Sequence, residues 1–319
     1  MKYGIIGLGN HSVNRVMPSI VESGSQITGI TTANKEKGAK LSESFSCRYF
    51  NTYDEMLKSD IDCVYVGSPN FLHYEHAMKA IKNGKHVLME KPMTLKSLHA
   101  RELIEASKDH KVSLGVGFHL RAHPAISKLK KNLQENGGQI KFMNGAWAHK
   151  STHSANPTTD SKWWTELDKV GGGSVMGTGV HVLDTLLNIA GKFPRKVSAF
   201  SLPETSIIDT TMAVYMQFDS FIGNAFSSRE TDAVPNDLAV TTEEHEYRVK
   251  NFFSTSIDYV FTVDGKSKSK GSEGNIYLEE VREFEKMVDG KDSLIAKAKD
   301  GYNVVRVVED AHKSISMSR

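Results

Sequence analysis

One strand end in this 319-residue chain carries the residue types of a reactive site: "HVLMEKPM", His86 to Met93. An apolar strand that finishes in a carboxylate, an ammonium and a proline sets Glu90 and Lys91 side by side. Such a lysine is either half of an ordinary surface ion pair or a donor held over a ligand at the rim of a sheet. Pro92 fixes the turn and removes one backbone donor. A second stretch, "GLGNHS" from Gly7 to Ser12, supplies two of the three glycines of a dinucleotide fingerprint. Gly7 permits a tight turn. Gly9 lets the backbone approach a pyrophosphate seated on the next helix N-terminus, with Asn10 and His11 in the same turn. Ser12 stands in place of the third glycine, so helix and strand must pack differently there.

The end of the second strand reports on the nucleotide. An acid there bonds the ribose 2′-hydroxyl of NAD and repels a 2′-phosphate. In "GITTANKEK" no Asp or Glu precedes Glu36; Thr31, Thr32 and Asn34 offer hydroxyl and amide groups, with Lys35 and Lys37 beside them. This favours NADP, with NAD as the alternative. Both lysines are also ordinary helix-start charges.

These groups need a scaffold. From the N-terminus to about residue 121 short apolar runs alternate with amphipathic segments: "KYGII", "QITGITT", "IDCVYV", "KHVLME" and "VSLGVGF" are strands, separated by helical spacing. Continuous rather than alternating apolar strands predict a parallel sheet covered by helices. Ligands of such sheets lie beyond the strand carboxyl ends. Ser68, Pro69, Asn70, His73, Glu90 and Lys91 should therefore share one rim with Gly7 and Gly9, with Lys91 where a nicotinamide ring should lie. Beyond residue 122 the period changes to two in "IKFMNGAWAH", "RKVSAFSL", "TTMAVYMQFD", "FIGNAFSS", "EEHEYRVKNFF" and "IDYVFTVDG", which predicts a large, mostly antiparallel sheet. A glycine-rich loop, "GGGSVMGTGVHVLD", feeds a helix between them, and two helices close the chain. The expected fold class is α/β, with a Rossmann domain over residues 1–121 and an α+β domain over 122–319.

Composition narrows the function. The net charge is +2 with both signs interspersed, so nothing favours nucleic acid or an anionic membrane. "GKSKSKG" reads as a solvated hairpin or edge strand. The two cysteines, Cys47 and Cys63, suggest a reduced, cytoplasmic setting, and neither a secretory signal nor a membrane-length apolar run is expected. His119, His123 and His153 fit no standard metal spacing, so no metal is expected. Trp163 and Trp164 precede the glycine loop; an aromatic there stacks on a sugar ring or edges the core.

"GIIGLGN", "IDCVYVGSPNFLHYEHAMKAIKNGKHVLMEKPMT", "RAHPA" and "GGGSVMGTGVHVLD" together resemble the Gfo/Idh/MocA oxidoreductases, over residues 3 to about 190. The resemblance implies that Lys91 is the catalytic lysine, followed in that family by a cis proline, here Pro92. It implies that His181 is the catalytic histidine, that Asn70 and Glu90 line the cofactor, and that Arg121 lies near substrate. Thr178 and Asp184, beside His181, join Trp164 as substrate-side candidates. The implied reaction moves a hydride between a nicotinamide and a secondary alcohol or ketone of a sugar or cyclitol, with His181 taking the hydroxyl proton and Lys91 bonding the oxygen. There is one departure: four residues before the histidine, where the family has an aspartate, this chain has Gly177. That loss keeps open a non-catalytic dinucleotide sensor or an NAD-dependent glycosidase of the same fold. Asp184 either orients the imidazole or pairs with a cation. The open face of the second sheet should be covered in a homodimer or homotetramer.

Overall fold

A computed structural model describes residues 1–151, 163, 166–204, 208–271 and 274–317. Trp164 and His153 lie outside the described residues. The chain divides into two compact units, Met1–Ala122 with Tyr277–Tyr302, and His123–Ile276 with Asn303–Arg319. A single division at residue 121 does not capture this return of the chain to the first unit.

In the first unit, β1 (Lys2–Ile6), β2 (Gln26–Thr31), β3 (Arg48–Tyr49), β4 (Cys63–Val66), β5 (His86–Glu90) and β6 (Leu114–Gly117) form a parallel sheet in the order β6-β5-β4-β1-β2-β3. Every residue of β4 and β6 is buried, as continuous apolar strands require when helices cover both faces. The strand order reverses at β1, between β2 and β4, which is where such sheets open a ligand crevice.

The returning segment adds the helix Ile276–Val288 and a two-residue strand, Ala296–Lys297, antiparallel to β6. Its hold is apolar first: Val281, Phe284 and Ile295 join one core with Tyr3, Ile5, Ile30 and Leu88. A Cβ on Gly115 would stand 3.0 Å from the Phe284 ring, so β6 carries a glycine where the helix presses on it. Glu285 adds polar bonds, accepting from Ser25 Oγ at 2.7 Å and from the Tyr3 hydroxyl at 3.2 Å.

In the second unit, β7 (Ile140–Ala148), β8 (Lys196–Leu202), β9 (Thr211–Gln217), β10 (Ile222–Ser228), β11 (Leu238–Thr242), β12 (Glu246–Lys250), β13 (Tyr259–Val263) and β14 (Lys266–Gly271) form an eight-stranded sheet in the order β14-β13-β12-β11-β7-β10-β9-β8. All pairings are antiparallel except β7 with β10. Six of these strands follow the period-two stretches, and the lysine-serine run is the edge strand β14. β11 escaped sequence detection because four of its five residues are buried, which erases the alternation. On the open face Phe200, Leu202, Tyr215, Ile222 and Phe142 are exposed, Phe200 by 72%. The helix Val180–Ala190 ends at Gly191, whose φ of 65° is the left-handed cap glycine adopts without strain. Among the described residues no helix is long and apolar enough to cross a membrane.

Candidate active site

The turn after β1 is shaped by what its glycines lack. Gly7 has φ 90°, and a Cβ there would fall 2.3 Å from Ser68 N and 2.4 Å from Gly67 C. Only glycine lets β1 and β4 end this close together. At Gly9 a Cβ would meet nothing within 4 Å, so the backbone faces open space that a pyrophosphate can enter. The next helix begins as a π turn, Ser12–Val16, before Met17–Glu22 continues as α-helix. Ser12 is buried, and its hydroxyl would lie 2.4 Å from a Cβ on Gly67. The missing third glycine is thus compensated from β4: Gly67 leaves room for the Ser12 side chain. These features fit a dinucleotide phosphate.

At the end of β2, Thr31 is buried and Asn34 caps the helix Lys35–Ser44, its side chain accepting from Lys37 N at 3.0 Å. Lys35 is exposed and Lys37 half-buried, while no carboxylate precedes Glu36.

Beyond β4, Ser68 and Asn70 are buried, and Pro69 leads into a short 3₁₀ turn. Ser68 Oγ contacts His76 Nδ1 at 2.9 Å. His73, expected to touch the cofactor, has another task. Its Nδ1 lies 2.7 Å from Pro92 O and its Nε2 2.8 Å from Ser68 O, so the ring clamps the segment after β4 to the segment after β5. Both partners are carbonyl acceptors, so a neutral ring donates to one of them and only the protonated ring donates to both. Burial lowers its pKa, against the two carbonyls, which favour the protonated ring.

At the end of β5, Glu90 accepts from the Tyr65 hydroxyl at 2.9 Å and pairs with His11 Nε2 at 3.2 Å. Burial opposes its ionisation, but His11, Lys91 and the Tyr65 hydroxyl outweigh it and hold Glu90 below the usual carboxylate range. His11 therefore braces Glu90 as well as standing in the phosphate turn. Asn10, beside it, is exposed. Lys91 is half-buried, and its bond to Pro92 is cis. Arg121, expected near substrate, forms an ion pair inside the first unit, Nη1 to Asp300 Oδ2 at 3.1 Å. Asp300 also accepts from Lys297 N at 2.8 Å, so this pair ties the returning segment to the chain after β6.

Glu280 was not singled out from the sequence. It stands on the buried face of the returning helix with Tyr277, Val281 and Phe284, and is 2% exposed. An acid on the apolar stripe of an amphipathic helix was the available signal. Burial and the Glu90 charge raise its pKa well above the carboxylate range, with Lys91 opposing.

In the second unit the glycine-rich segment is a built turn rather than a loose loop. Val175–Gly179 is π-helical and continues into Val180–Ala190. Asp209 holds it, accepting from Gly173 N at 2.8 Å, Val175 N at 3.0 Å and the Ser174 hydroxyl at 2.5 Å. A Cβ on Gly173 would fall 1.7 Å from Asp209 O, so glycine is obligatory there. His181 follows the turn, 4% exposed, its ring 5.1 Å from Trp147 at 40°. Thr178 lies beside it, half-buried, its hydroxyl 3.4 Å from the carbonyls of Trp147 and Ser174. Asp184 is buried on the same helix. At Gly177 the missing carboxylate has a counterpart: a Cβ there would stand 2.9 Å from Arg229 Nη2, which donates to Gly173 O at 2.9 Å. A guanidinium borders the place where the family carries an acid. Arg229 lies 52 positions beyond Gly177, so no spacing rule announces it.

Among the described residues no cluster of His, Cys, Asp or Glu has a metal-binding arrangement. His123 instead caps the helix Pro124–Asn136, accepting from Ala125 N at 3.1 Å. His119 packs on Tyr277, ring centroids 5.0 Å apart.

Residues 1–118 match the model of an oxidoreductase family with an NAD-binding Rossmann fold, GFO_IDH_MocA, and residues 128–248 match the GFO/IDH/MocA C-terminal domain. The chain is 22% identical to a trans-1,2-dihydrobenzene-1,2-diol dehydrogenase of Xenopus laevis, covering 99% of this chain and 98% of the relative. It is 26% identical to the scyllo-inositol 2-dehydrogenase (NADP(+)) IolU of Bacillus subtilis over 78% of this chain and 79% of the relative. The crystal structure of an aldose-aldose oxidoreductase from Caulobacter crescentus complexed with glycerol shares the fold with a TM-score of 0.88 at 21% identity, covering 100% of this chain and 98% of that one.

Proposed function

The chain belongs to the Gfo/Idh/MocA oxidoreductases, and from that premise we propose that it is an NAD(P)-dependent dehydrogenase or reductase acting on a secondary alcohol or ketone of a sugar, a cyclitol or a derivative. The observation that carries this reading is the rim of the parallel sheet. The open approach at Gly9 after β1, and the braced Glu90 and the lysine on the cis bond at the end of β5, flank the end of β4 beside the switch point.

Gly7, Gly9, Asn10 and His11 would hold the pyrophosphate, with Ser68, Pro69, Asn70 and Glu90 along the same rim. The bound nicotinamide supplies the hydride donor or acceptor. Lys91 donates a hydrogen bond to the reacting oxygen and stabilises charge that develops on it. His181 takes the hydroxyl proton in the oxidative direction and returns it in the reductive one. Its burial against Trp147 supports that role. NADP is favoured over NAD because β2 ends in Thr31, Thr32 and Asn34 with Lys35 and Lys37 at the next helix start, where anions are stabilised. The NADP(+) in the name of the Bacillus subtilis relative is consistent with this choice.

The exposed apolar residues of the eight-stranded sheet suit coverage by a second copy of the chain, and the free Cys47 and Cys63 suit a reduced compartment such as the cytoplasm. Light scattering on wild type and on a Phe200→Glu, Leu202→Glu variant tests the assembly. A monomeric wild type removes it.

The activity is tested by following reduced-nicotinamide absorbance with NADP or NAD and a panel of polyols and sugars. Turnover with at least one substrate, lost by roughly 100- to 10,000-fold in Lys91→Ala, is expected. Undiminished turnover in Lys91→Ala removes the lysine from the mechanism.

A further inference from the structure

Glu280 is the buried acid that the proposed chemistry leaves unused. It is 2% exposed, and its Oε1 is buried with no hydrogen-bond partner among the described residues. A carboxylate in that position is costly to desolvate unless donors or cations compensate it. Its place follows from the helix that carries it. Tyr277, three residues earlier on the same face, packs its ring 5.1 Å from His11, and His11 pairs with Glu90 at 3.2 Å. Glu280 thereby belongs to the charge cluster at the end of β5, beside Glu90 and Lys91. The titratable groups that face it are Tyr65 from β4, Glu90 and Lys91 from β5, and Tyr277 from its own helix. Around it, His11 pairs with Glu90 and His119 after β6 packs on Tyr277, while Arg15 acts on Tyr277 and Glu90 on His73 after β4.

We propose that Glu280 is a proton-release group that reports the oxidation state of the bound cofactor. Resting on the cofactor reading above, it keeps its proton when the nucleotide is reduced and gives it up when the nucleotide is oxidised. The physical reason is charge balance. With Glu90 ionised, a second carboxylate in the same dry cluster is disfavoured, so Glu280 stays neutral. A reduced ring adds no charge beside Lys91. An oxidised ring adds one positive charge, and a nearby positive charge favours the carboxylate. The step balances simply: the carboxyl O–H bond breaks, its electron pair stays on oxygen, and the proton leaves to solvent. The same group offsets the repulsion between the cationic ring and Lys91, which makes it a positioning residue for the lysine.

Titration calorimetry of NADP and of reduced NADP, each run in buffers of different ionisation enthalpy, counts protons released on binding without turnover. Wild type should release a measurable fraction of a proton with the oxidised nucleotide and none with the reduced one. Glu280→Gln, which copies the neutral acid in shape and hydrogen bonding, should bind both and abolish the difference. In parallel, the infrared band of a protonated carboxyl should bleach when wild type binds NADP, and be absent from Glu280→Gln throughout. Equal proton release by wild type and Glu280→Gln, or an unchanged carboxyl band, overturns the assignment and leaves the cofactor reading intact. Failure of wild type to bind NADP and reduced NADP, and equally NAD and reduced NAD in the same calorimeter, overturns both.

Discussion

Asp209 in the second unit and Glu280 in the first are both almost wholly buried acids, and they are solved in opposite ways. Asp209 is surrounded by donors: two backbone N–H groups and a hydroxyl converge on it and so build the π turn that leads to His181. Glu280 has an oxygen with no such partner and sits beside another acid. A buried carboxylate with a full set of donors is a structural part, because removing it takes a partner from every donor. A buried carboxyl without them is held neutral and is free to respond when charge arrives. The number of partners, rather than burial, separates scaffold from responsive chemistry in these two regions.

The largest stability effect should therefore fall on Asp209. Asp209→Ala leaves Gly173 N and Val175 N unsatisfied and the Ser174 hydroxyl with only Ser227 as partner, and should cost about 3–5 kcal/mol in urea unfolding. A cost below about 1 kcal/mol would dissolve the contrast. His123 lies between the two cases. One ring nitrogen accepts from Ala125 N, while the other is buried without a partner among the described residues, and burial lowers its pKa from 6.5 to about 4. The unfolded chain takes up the proton first, so stability is present above pH 6.5 and drains away as the pH falls toward 4. The full loss approaches about 3 kcal/mol. His123→Asn keeps the helix cap and should flatten that acid slope, read as thermal midpoints against pH.

Smaller effects sharpen the same distinction. Gly177→Ala places a Cβ 2.9 Å from Arg229 Nη2, and because that nitrogen is bonded to Gly173 O it should cost about 1 kcal/mol. No cost would mean that the guanidinium moves freely. Glu280→Gln should be the mildest. A group whose pKa is raised in the folded state weakens stability as the pH rises, so this variant should equal wild type in acid and exceed it in alkali. Destabilisation at every pH would make Glu280 a scaffold residue like Asp209.

What was legible in the sequence was local. Gly7, Gly9, Glu90 and Lys91 lie within a few residues of a strand end, so apolar runs and their stops suffice to put them on one rim. The parallel sheet and the alternating strands of the second unit were readable for the same reason. Contacts made at long range were not. Arg229 beside Gly177, Gly67 making room for Ser12, and the return of 277–302 to the first sheet each join positions that no short period connects. Residue type alone also did not announce local partners: carbonyls lie against both ring nitrogens of His73, and Asp300 pairs with Arg121, inside the first unit.

The central claim, that the turn after β1 receives a dinucleotide phosphate, is tested most directly at Gly9. Because a Cβ there meets nothing within 4 Å, Gly9→Ala should fold with a thermal midpoint indistinguishable from wild type. With a phosphate against the backbone, the same methyl group should weaken NADP binding by calorimetry at least about tenfold, roughly 1.4 kcal/mol. Unchanged affinity in a normally folded Gly9→Ala protein would contradict the account.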